Sequence, residues 1–354
     1  GGPLLPEVLR GGVAHLPMPL DGGNPLTLWR AAFKLARFAR RDGTGLLHAR
    51  GAAAAWTASL VKRFTGLPLV VTLDDGPEET AAWRRWHAGA IARADHVIVQ
   101  SRHMAARAAA DHGIPAQRMT VIPGGVDMAR FDPGAIRGDR IARMAQRWLL
   151  PDGVPVILMP KRIAPDKGHE ILIEALARLG DRPFACILAG DDRDNESYRL
   201  RLEEMAVMRG LGGRLRLVGP IDDMPAAYML SDAVVCPGLM PEAFDLAAAE
   251  AQAMGRPVVG ADHGALAELI LPERTGWLVP PGDPDLLAAS LARALDLDPA
   301  GRASLAATAR ERVAAHFSLS RMCAQSVALY DMLLGSQNRA ATAADPGVAA
   351  PREP

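Results

Sequence analysis

The stretch that decides the fold is residues 236–259, which read CPGLMPEAFDLAAAEAQAMGRPVV. A short apolar run at 233–236 comes just before a proline- and glycine-containing loop, and its length suits a buried strand. Good helix formers then occupy about 244–254, and Gly255 stands where a helix C-terminal glycine belongs. Residues 257–259 predict the next strand. The pattern is therefore strand, loop, helix and strand.

The loop and the first helical turn of this stretch lie beyond the C-terminal end of a strand, where open α/β sheets bind ligands. Free backbone N–H groups at such a helix start favour an anion such as a diphosphate. Glu242 lies in the loop, and Glu250 lies about two turns into the helix. Carboxylates accept hydrogen bonds from sugar hydroxyls, so one could hold a donor sugar and the other a ribose. From their spacing alone, the two glutamates could equally be ordinary surface residues.

The residues around this pair resemble a known family. Pro-Glu-Ala-Phe at 241–244, followed by Glu-Ala-Gln-Ala-Met-Gly-Arg-Pro-Val-Val at 250–259, resembles the Glu-x7-Glu signature of retaining glycosyltransferases of family 4. The resemblance implies the GT-B fold, with two Rossmann-like domains whose parallel sheets face each other across a cleft. It also implies a nucleotide-sugar donor on the second domain, a glycan or lipid-linked acceptor, and a hexose transferred with retention of configuration. Within the family, Glu-Ala-Gln-Ala-Met-Gly-Arg-Pro-Val at 250–258 resembles a subgroup of enzymes of lipopolysaccharide and surface-polysaccharide biosynthesis.

A cationic loop, PKRIAPDKG at 160–168, follows a strand predicted at 154–159. Arginine offers a planar fork of donors and lysine a point charge, which together suit a diphosphate. A solvated basic loop is the alternative for this stretch alone. By resemblance, Arg162 and Lys167 match the family's cations, which stabilise the leaving diphosphate as negative charge builds on it. The resemblance therefore gives Glu242, Arg162 and Lys167 as the catalytic residues.

The remaining predicted site residues bind the nucleotide. By resemblance Glu250 holds the ribose, and the turn with Phe244, Asp245 and Leu246 approaches the diphosphate. The family usually has glycine in place of Asp245, whose side chain could cap the helix and use N–H groups that a phosphate would want. Two further positions, Gly190 and Ile221, follow predicted strands, and by resemblance their loops are expected to contact the nucleotide. Ile221 lies in Gly-Pro-Ile, which resembles the loop that holds the nucleobase through backbone groups.

Composition limits the other functions. Lys and Arg total 40 and Asp and Glu total 40, so no net charge attracts nucleic acid. Three scattered cysteines show neither metal spacing nor a disulfide framework, which suits a reducing cytosol. No apolar run reaches the roughly 18 residues that would span a bilayer. We expect a UDP-, GDP- or ADP-sugar as donor and no metal or other cofactor.

At 354 residues the chain should form two α/β domains, each with a parallel sheet covered by helices. The predicted segments are an acceptor-side Rossmann-like domain at 1–133, a connector at 134–152, a nucleotide-sugar domain at 153–318, a helix crossing back to the first domain at 319–335, and a disordered tail at 336–354.

The first domain is expected to be incomplete. Family members normally open with a strand, a glycine-rich turn, a helix and a second strand before anything like residues 1–20. Here about five strands are predicted before residue 133, the first of them at 13–18. None is followed by a glycine-rich turn. We therefore expect the N-terminus of this domain to be truncated and sugar transfer by the chain to be poor.

The helix predicted at 25–41 carries aromatic residues beside five basic ones. A basic amphipathic helix can lie on an anionic membrane surface. A domain-packing helix with a solvated face is the alternative. The expected location is therefore the cytoplasm, with peripheral contact at the inner face of the cytoplasmic membrane left open.

Two other functions stay open. A catalytically silent GT-B scaffold, acting as a binding or partner subunit, is supported by the incomplete first domain and by departures from the family pattern. These are Asp245 in place of glycine, Asp75 where many members have histidine, and Gly124 in place of a polar residue. An epimerase of the same fold is the third possibility.

Overall fold

The computed structural model describes residues 5–18, 24–73, 89–193 and 195–344, including all their side chains except those of Ala52 and residues 336–344. The chain divides into two compact units. The first unit comprises Gly1–Val99, Ala105–Val121 and Val327–Pro354, and the second comprises Gln100–Met104 and Ile122–Ser326.

Within its described residues, the first unit has a four-stranded parallel sheet in the order β1-β2-β3-β4. Its strands are β1 (Leu47–Arg50), β2 (Leu69–Thr72), β3 (His96–Val99) and β4 (Met119–Val121). Its helices are α1 (Leu5–Arg10), α2 (Pro25–Asp42), α3 (Ala52–Thr65) and most of α4 (Arg102–His112). Every residue of β2 and β3 is buried, as expected for parallel strands covered on both faces.

Three features of the first unit and its C-terminal helix differ from the predictions or lie outside what is described. Residues 13–18 form no strand, because Pro17 lacks a backbone donor and Val13 leaves more than half of its surface exposed. Asp75 lies outside the described residues, and so do most of residues 78–92, for which the sequence also predicts a helix. The last helix, α13 (Leu319–Ala344), extends past the predicted end at 335, because several alanines there favour helix.

The second unit is a larger parallel sheet with strand order β10-β9-β8-β5-β6-β7. Its strands are β5 (Val156–Met159), β6 (Ala185–Leu188), β7 (Leu215–Leu217), β8 (Ala233–Cys236), β9 (Val258–Ala261) and β10 (Gly276–Val279). Its helices are α5 (Gly138–Arg147), α6 (His169–Arg178), α7 (Glu196–Met208), α8 (Met224–Leu230), α9 (Leu246–Ala253), α10 (Leu266–Leu269), α11 (Pro284–Leu295) and α12 (Pro299–His316).

The strand order of the second unit reverses between β5 and β8. From β5 the chain proceeds outward through β6 and β7, and from β8 it proceeds in the other direction through β9 and β10. Ile157 pairs with Ala233 and Leu158 with Val234 across this point. Ligands of doubly wound sheets bind at such a reversal, outside the carboxyl ends of the strands. The cationic loop follows β5 and the Glu242 loop follows β8, so the topology places both loops there.

Candidate donor-binding site

The loops after β5 and β8 lie in contact at the reversal point. The backbone N–H of Leu239 donates to the carbonyl of Asp166 at 2.8 Å. Gly168 has a φ of +79°, and a Cβ there would fall 2.0 Å from the carbonyl oxygen of Pro237. Only glycine permits this approach. Gly190, after β6, allows a similar contact, because its Cβ would lie 2.0 Å from the carbonyl oxygen of Lys161. Glycines at two positions thus bring three loops together.

A cluster of opposite charges joins these loops. Lys161 Nζ donates to both carboxylate oxygens of Glu242, at 3.1 and 3.0 Å, and to Asp245 Oδ2 at 2.7 Å. Lys167 Nζ donates to Glu242 Oε1 at 3.0 Å and lies 2.9 Å from Asp166 Oδ2. Glu242 is therefore held by two lysines, both from the loop after β5. The contacts orient its carboxylate without a ligand.

The electrostatics of this cluster favour charged lysines. Burial alone would lower the pKa of Lys161, but the nearby carboxylates of Asp245 and Glu242 outweigh it and raise that pKa above its usual range. Burial also acts to lower the pKa of Lys167, and Glu242 and Asp166 again reverse the effect. Both lysines therefore stay protonated at neutral pH, although the side chain of Lys161 is only 9% exposed.

Asp245 caps the helix that follows the loop. Its backbone is extended, and its side chain accepts a hydrogen bond from the N–H of Ala248 at 3.0 Å. The predicted cap is confirmed, and the helix begins at Leu246 rather than at the predicted Phe244 because the capping residue lies between them. Of the groups that the structure describes, none accepts a hydrogen bond from the N–H of Leu246 or Ala247. Two donors at the N-terminus of α9 thus remain open to an anion.

Glu250 lies on α9 beside a buried tyrosine. The hydroxyl of Tyr228 donates to Glu250 Oε2 at 3.0 Å, and its oxygen also lies 3.2 Å from the carbonyl oxygen of Ala247. Burial raises the pKa of Glu250 to about 7, although the tyrosine hydrogen bond and the charge of Arg130 both act to lower it. Glu250 is therefore a carboxyl group that titrates near neutrality, fixed on the side of the helix by a hydrogen bond.

Arg162 and Ile221 complete the predicted set. Arg162 is exposed and has no ion-pair partner among residues 5–18, 24–73, 89–193 and 195–344, so its guanidinium is open to a ligand. A Cβ on Gly190 would lie 2.9 Å from the Cα of Arg162, which places the two side by side. Ile221 is half-buried and packs at the edge of the core on one face of the sheet.

Comparison with known proteins identifies the family. The model of the family described as group 1 glycosyl transferases matches residues 141–312. The model of glycosyltransferase family 4 matches residues 1–130. The chain belongs to the group 1 glycosyltransferases. Its fold is GT-B, with two parallel-sheet Rossmann-like domains.

Three relatives illustrate the similarity. A D-inositol 3-phosphate glycosyltransferase of Salinispora tropica is 34% identical over 241 residues, which are 65% of this chain and 49% of that protein. A solved glycosyltransferase of Rickettsia africae has a TM-score of 0.87 at 25% identity, covering 94% of this chain and 88% of its own. Anabaena HepE in complex with UDP has a TM-score of 0.77 at 25% identity, covering 85% and 82%. This glycosyltransferase spans about half the length of the curated relatives it matches first.

Two residues at the site of this glycosyltransferase, Gly124 and Asp245, depart from the family pattern. Gly124 lies under the ring of Phe244, and a Cβ at position 124 would fall 2.3 Å from the Cδ1 atom of that ring. The glycine therefore makes room for the aromatic side chain of Phe244, two residues before α9. Asp245, the second departure, is only 1% exposed and pairs with Lys161. Its carboxylate is therefore shielded from solvent.

Lys161 is a residue of this cluster that is absent from the predicted site residues. It is one of the cations of the loop, but only Arg162 and Lys167 match the cations of the family. The available signal was a combination: an unmatched lysine in one loop and an unmatched aspartate, Asp245, in another. The structure brings Glu242, Asp245 and Lys167 into one cluster with Lys161, and the roles predicted for them stay predictions.

Two histidines adjoin the site. His263 Nε2 lies 2.9 Å from the carbonyl oxygen of Gly238, while its Nδ1 is buried without a partner among the described residues. His169 is fully buried at the start of α6, and burial lowers its pKa to about 4. No group of three or more His, Cys, Asp or Glu side chains within the described residues is arranged to hold a metal ion. That no metal is used remains a prediction.

Proposed function

We propose that this chain transfers a hexose from a nucleotide-diphosphate sugar to an acceptor, with retention of anomeric configuration. The observation that carries the proposal is the position of Glu242. Two lysines orient it at the reversal point of the sheet, beside open backbone donors at the start of α9. The carboxylate would accept hydrogen bonds from the donor sugar.

The diphosphate would lie between the cationic loop and α9. Arg162, Lys167 and the N–H groups of Leu246 and Ala247 would stabilise the negative charge that builds as the sugar leaves. Charge-assisted hydrogen bonds of this kind each contribute about 1.5–3 kcal/mol. Lys167 must share its ammonium with Glu242 and Asp166, so Arg162 is the cation most open to the ligand.

The nucleoside would extend from the diphosphate toward Glu250. The carboxyl of Glu250 would bind the ribose hydroxyls, while loops with Gly190 and Ile221 would contact the base through backbone groups. Binding of UDP by the similar Anabaena protein supports a uridine nucleotide as the first probe. GDP- and ADP-sugars remain to be tested beside it.

The proposed acceptors include one more chemical class than the family resemblance implies. A glycan or lipid-linked acceptor remains a hypothesis. The comparisons give no specific support to lipopolysaccharide assembly, and the names of the matched relatives add a phosphorylated polyol to the candidates. An assay should therefore offer both classes.

The test is a transfer assay on the full chain with UDP-, GDP- and ADP-hexoses. Each donor is combined with a glycan, a lipid-linked sugar or inositol 3-phosphate. We expect a product in at least one combination, with turnover lost in Glu242→Ala and kept in Glu203→Ala, an exposed glutamate on α7. Undiminished turnover in Glu242→Ala would refute the role of this residue. A sugar product formed without any acceptor would indicate the epimerase instead.

A silent scaffold is the second candidate, and one observation favours it. The buried Lys161 and the partly buried Lys167 already contact the chain's own carboxylates. A scaffold would bind a nucleotide sugar in the same position and release no product with any acceptor. Nucleotide binding without turnover across the whole panel would therefore favour the scaffold.

We also propose peripheral membrane contact through α2. Its buried side packs within the first unit, where α2 contacts α3, whereas Leu26, Trp29 and Phe33 are 72%, 52% and 57% exposed. The rings of Trp29 and Phe33 stack at 6.2 Å. Exposed basic side chains occupy the same helix, namely those of Arg30, Lys34, Arg37, Arg40 and Arg41. Apolar insertion combined with attraction to anionic lipid is the pattern of an interfacial helix.

Vesicle sedimentation tests this contact. We expect the chain to bind phosphatidylglycerol vesicles more strongly than phosphatidylcholine vesicles, and a Trp29→Ser, Phe33→Ser variant to lose most of that binding. The matched control is Val207→Ser, Met208→Ser, which removes two exposed apolar side chains from α7. Equal binding of all three proteins would contradict the proposal. Separately, no helix in the described part of the chain is long and apolar enough to cross a membrane.

A further inference from the structure

Lys161 and Asp245 are the most deeply buried ion pair of the site. The Asp245 side chain is 1% exposed, that of Lys161 is 9% exposed, and the two charged atoms lie 2.7 Å apart. The carboxylate of Asp245 occupies the N-terminus of α9, where it would lie beside a bound diphosphate. An uncompensated carboxylate there would repel the phosphates, because like charges a few ångströms apart oppose each other. Lys161 supplies the compensating charge.

We propose that Lys161 and Asp245 act as a coupled positioning pair, in which the lysine neutralises the helix-capping aspartate and holds Glu242 in place, so that a nucleoside diphosphate can bind beside an acidic cap. This inference rests on the proposed donor site. Within that site, Lys161 is needed for nucleotide binding because Asp245 is present.

The charges of the cluster explain why the two residues depend on each other. Removing the Lys161 ammonium leaves Asp245 without a cation and leaves Glu242 held by Lys167 alone. Removing the charge of Asp245 instead leaves Lys161 paired with Glu242, and the site gains net positive charge. Removing the Lys161 ammonium should therefore weaken diphosphate binding, and removing the Asp245 charge should not. Removing both charges should leave the net charge unchanged.

The test is a double-mutant cycle of Lys161→Met and Asp245→Asn in the full chain. Methionine keeps the length of the lysine side chain, and asparagine retains the ability to cap α9. Calorimetric titration with UDP, GDP and ADP identifies the nucleotide that the parent binds most tightly. The affinity for that nucleotide is then measured in all four proteins, and urea unfolding is recorded in parallel.

We expect Lys161→Met to weaken nucleotide binding about tenfold or more and Asp245→Asn to bind at least as tightly as the parent. The double variant should return to within about threefold of the parent. A rescue of this kind would not follow from a purely structural role. If the double variant binds as weakly as Lys161→Met, the proposal is overturned. Coupling in unfolding free energy alone, without coupling in nucleotide affinity, overturns it as well.

A matched control comes from the first unit. Lys62 Nζ donates to Asp95 Oδ1 at 2.6 Å, and Asp95 also accepts a backbone hydrogen bond from Leu69 at 2.7 Å. The cycle Lys62→Met, Asp95→Asn should leave nucleotide affinity unchanged throughout. If the parent binds none of the three nucleotides, the proposed donor site fails first. The neutralisation of Asp245 by Lys161 is then tested by the unfolding free energies of the same four proteins. If Lys161→Met and Asp245→Asn show no coupling there, the neutralisation is overturned as well.

Discussion

Replacing Glu250 by glutamine should change how stability depends on pH. Burial raises the pKa of this carboxyl from about 4.5 to about 7. The folded protein therefore holds a proton that the unfolded chain has already lost at intermediate pH. The resulting stabilisation is fully present below the unfolded pKa, and it is lost as pH rises through about 7. The full shift corresponds to at most about 3 kcal/mol.

Glutamine keeps the size of Glu250 and can still accept the hydrogen bond from Tyr228, but it does not titrate. Urea unfolding at pH 5 and pH 8 should therefore show the variant gaining stability relative to the parent as pH rises, by about 1–3 kcal/mol. The difference between the two proteins isolates this group from all other titrations. An identical pH dependence in parent and variant would refute the assignment of the raised pKa to Glu250.

The same variant tests the ribose role. Ionised Glu250 is a better acceptor for ribose hydroxyls than the protonated form, so nucleotide affinity of the parent should rise between pH 6 and pH 8. Phosphate ionisation of the nucleotide also contributes, but equally in Glu250→Gln. We expect the rise to be several-fold larger in the parent. A parent and variant with the same pH profile would place the ribose elsewhere.

Two glycines give further predictions. Gly124→Ala should destabilise the second unit by about 1–3 kcal/mol in urea unfolding, because its Cβ would lie 2.3 Å from the Phe244 ring. Gly138→Ala, which meets open space, is the control and should be nearly neutral; equal effects would contradict the contact. Gly190→Ala should weaken nucleotide binding several-fold, because its Cβ would meet the backbone of Lys161 at 2.0 Å and displace the cationic loop. Unchanged affinity in that variant would show that the loop tolerates the shift.

The sequence predicts the second domain well because its strands are short, apolar and separated by helix patterns. The position of its loops is predictable as well, because parallel strands bring their carboxyl ends to one edge of the sheet. The strand predicted at 13–18 fails because a few apolar residues cannot by themselves form a strand. The start of α9 is displaced because Asp245 takes the cap position, a feature that depends on side-chain orientation.

The pairing of charges within the site could not be predicted. Lys161 and Asp245 are separated by 84 positions, and a lysine in a basic loop ordinarily points to solvent. Its burial follows from the packing of three loops, which depends on the close approaches at Gly168 and Gly190. The carboxyl of Glu250 is similar, since its raised pKa reflects burial rather than residue type.

The most direct measurement is a calorimetric titration of UDP, GDP and ADP into the full chain and into an Arg162→Ala, Lys167→Ala variant. The control variant is Arg201→Ala, Arg209→Ala, which removes one exposed cation on α7 and one directly after it; they pair with Glu170 and Glu174. We predict that the parent and the control bind one of the three nucleotides equally. The site variant should bind it about tenfold or more weakly, because it loses two charge-assisted contacts. Unchanged affinity in the site variant would contradict the placement of the donor diphosphate at the loop after β5.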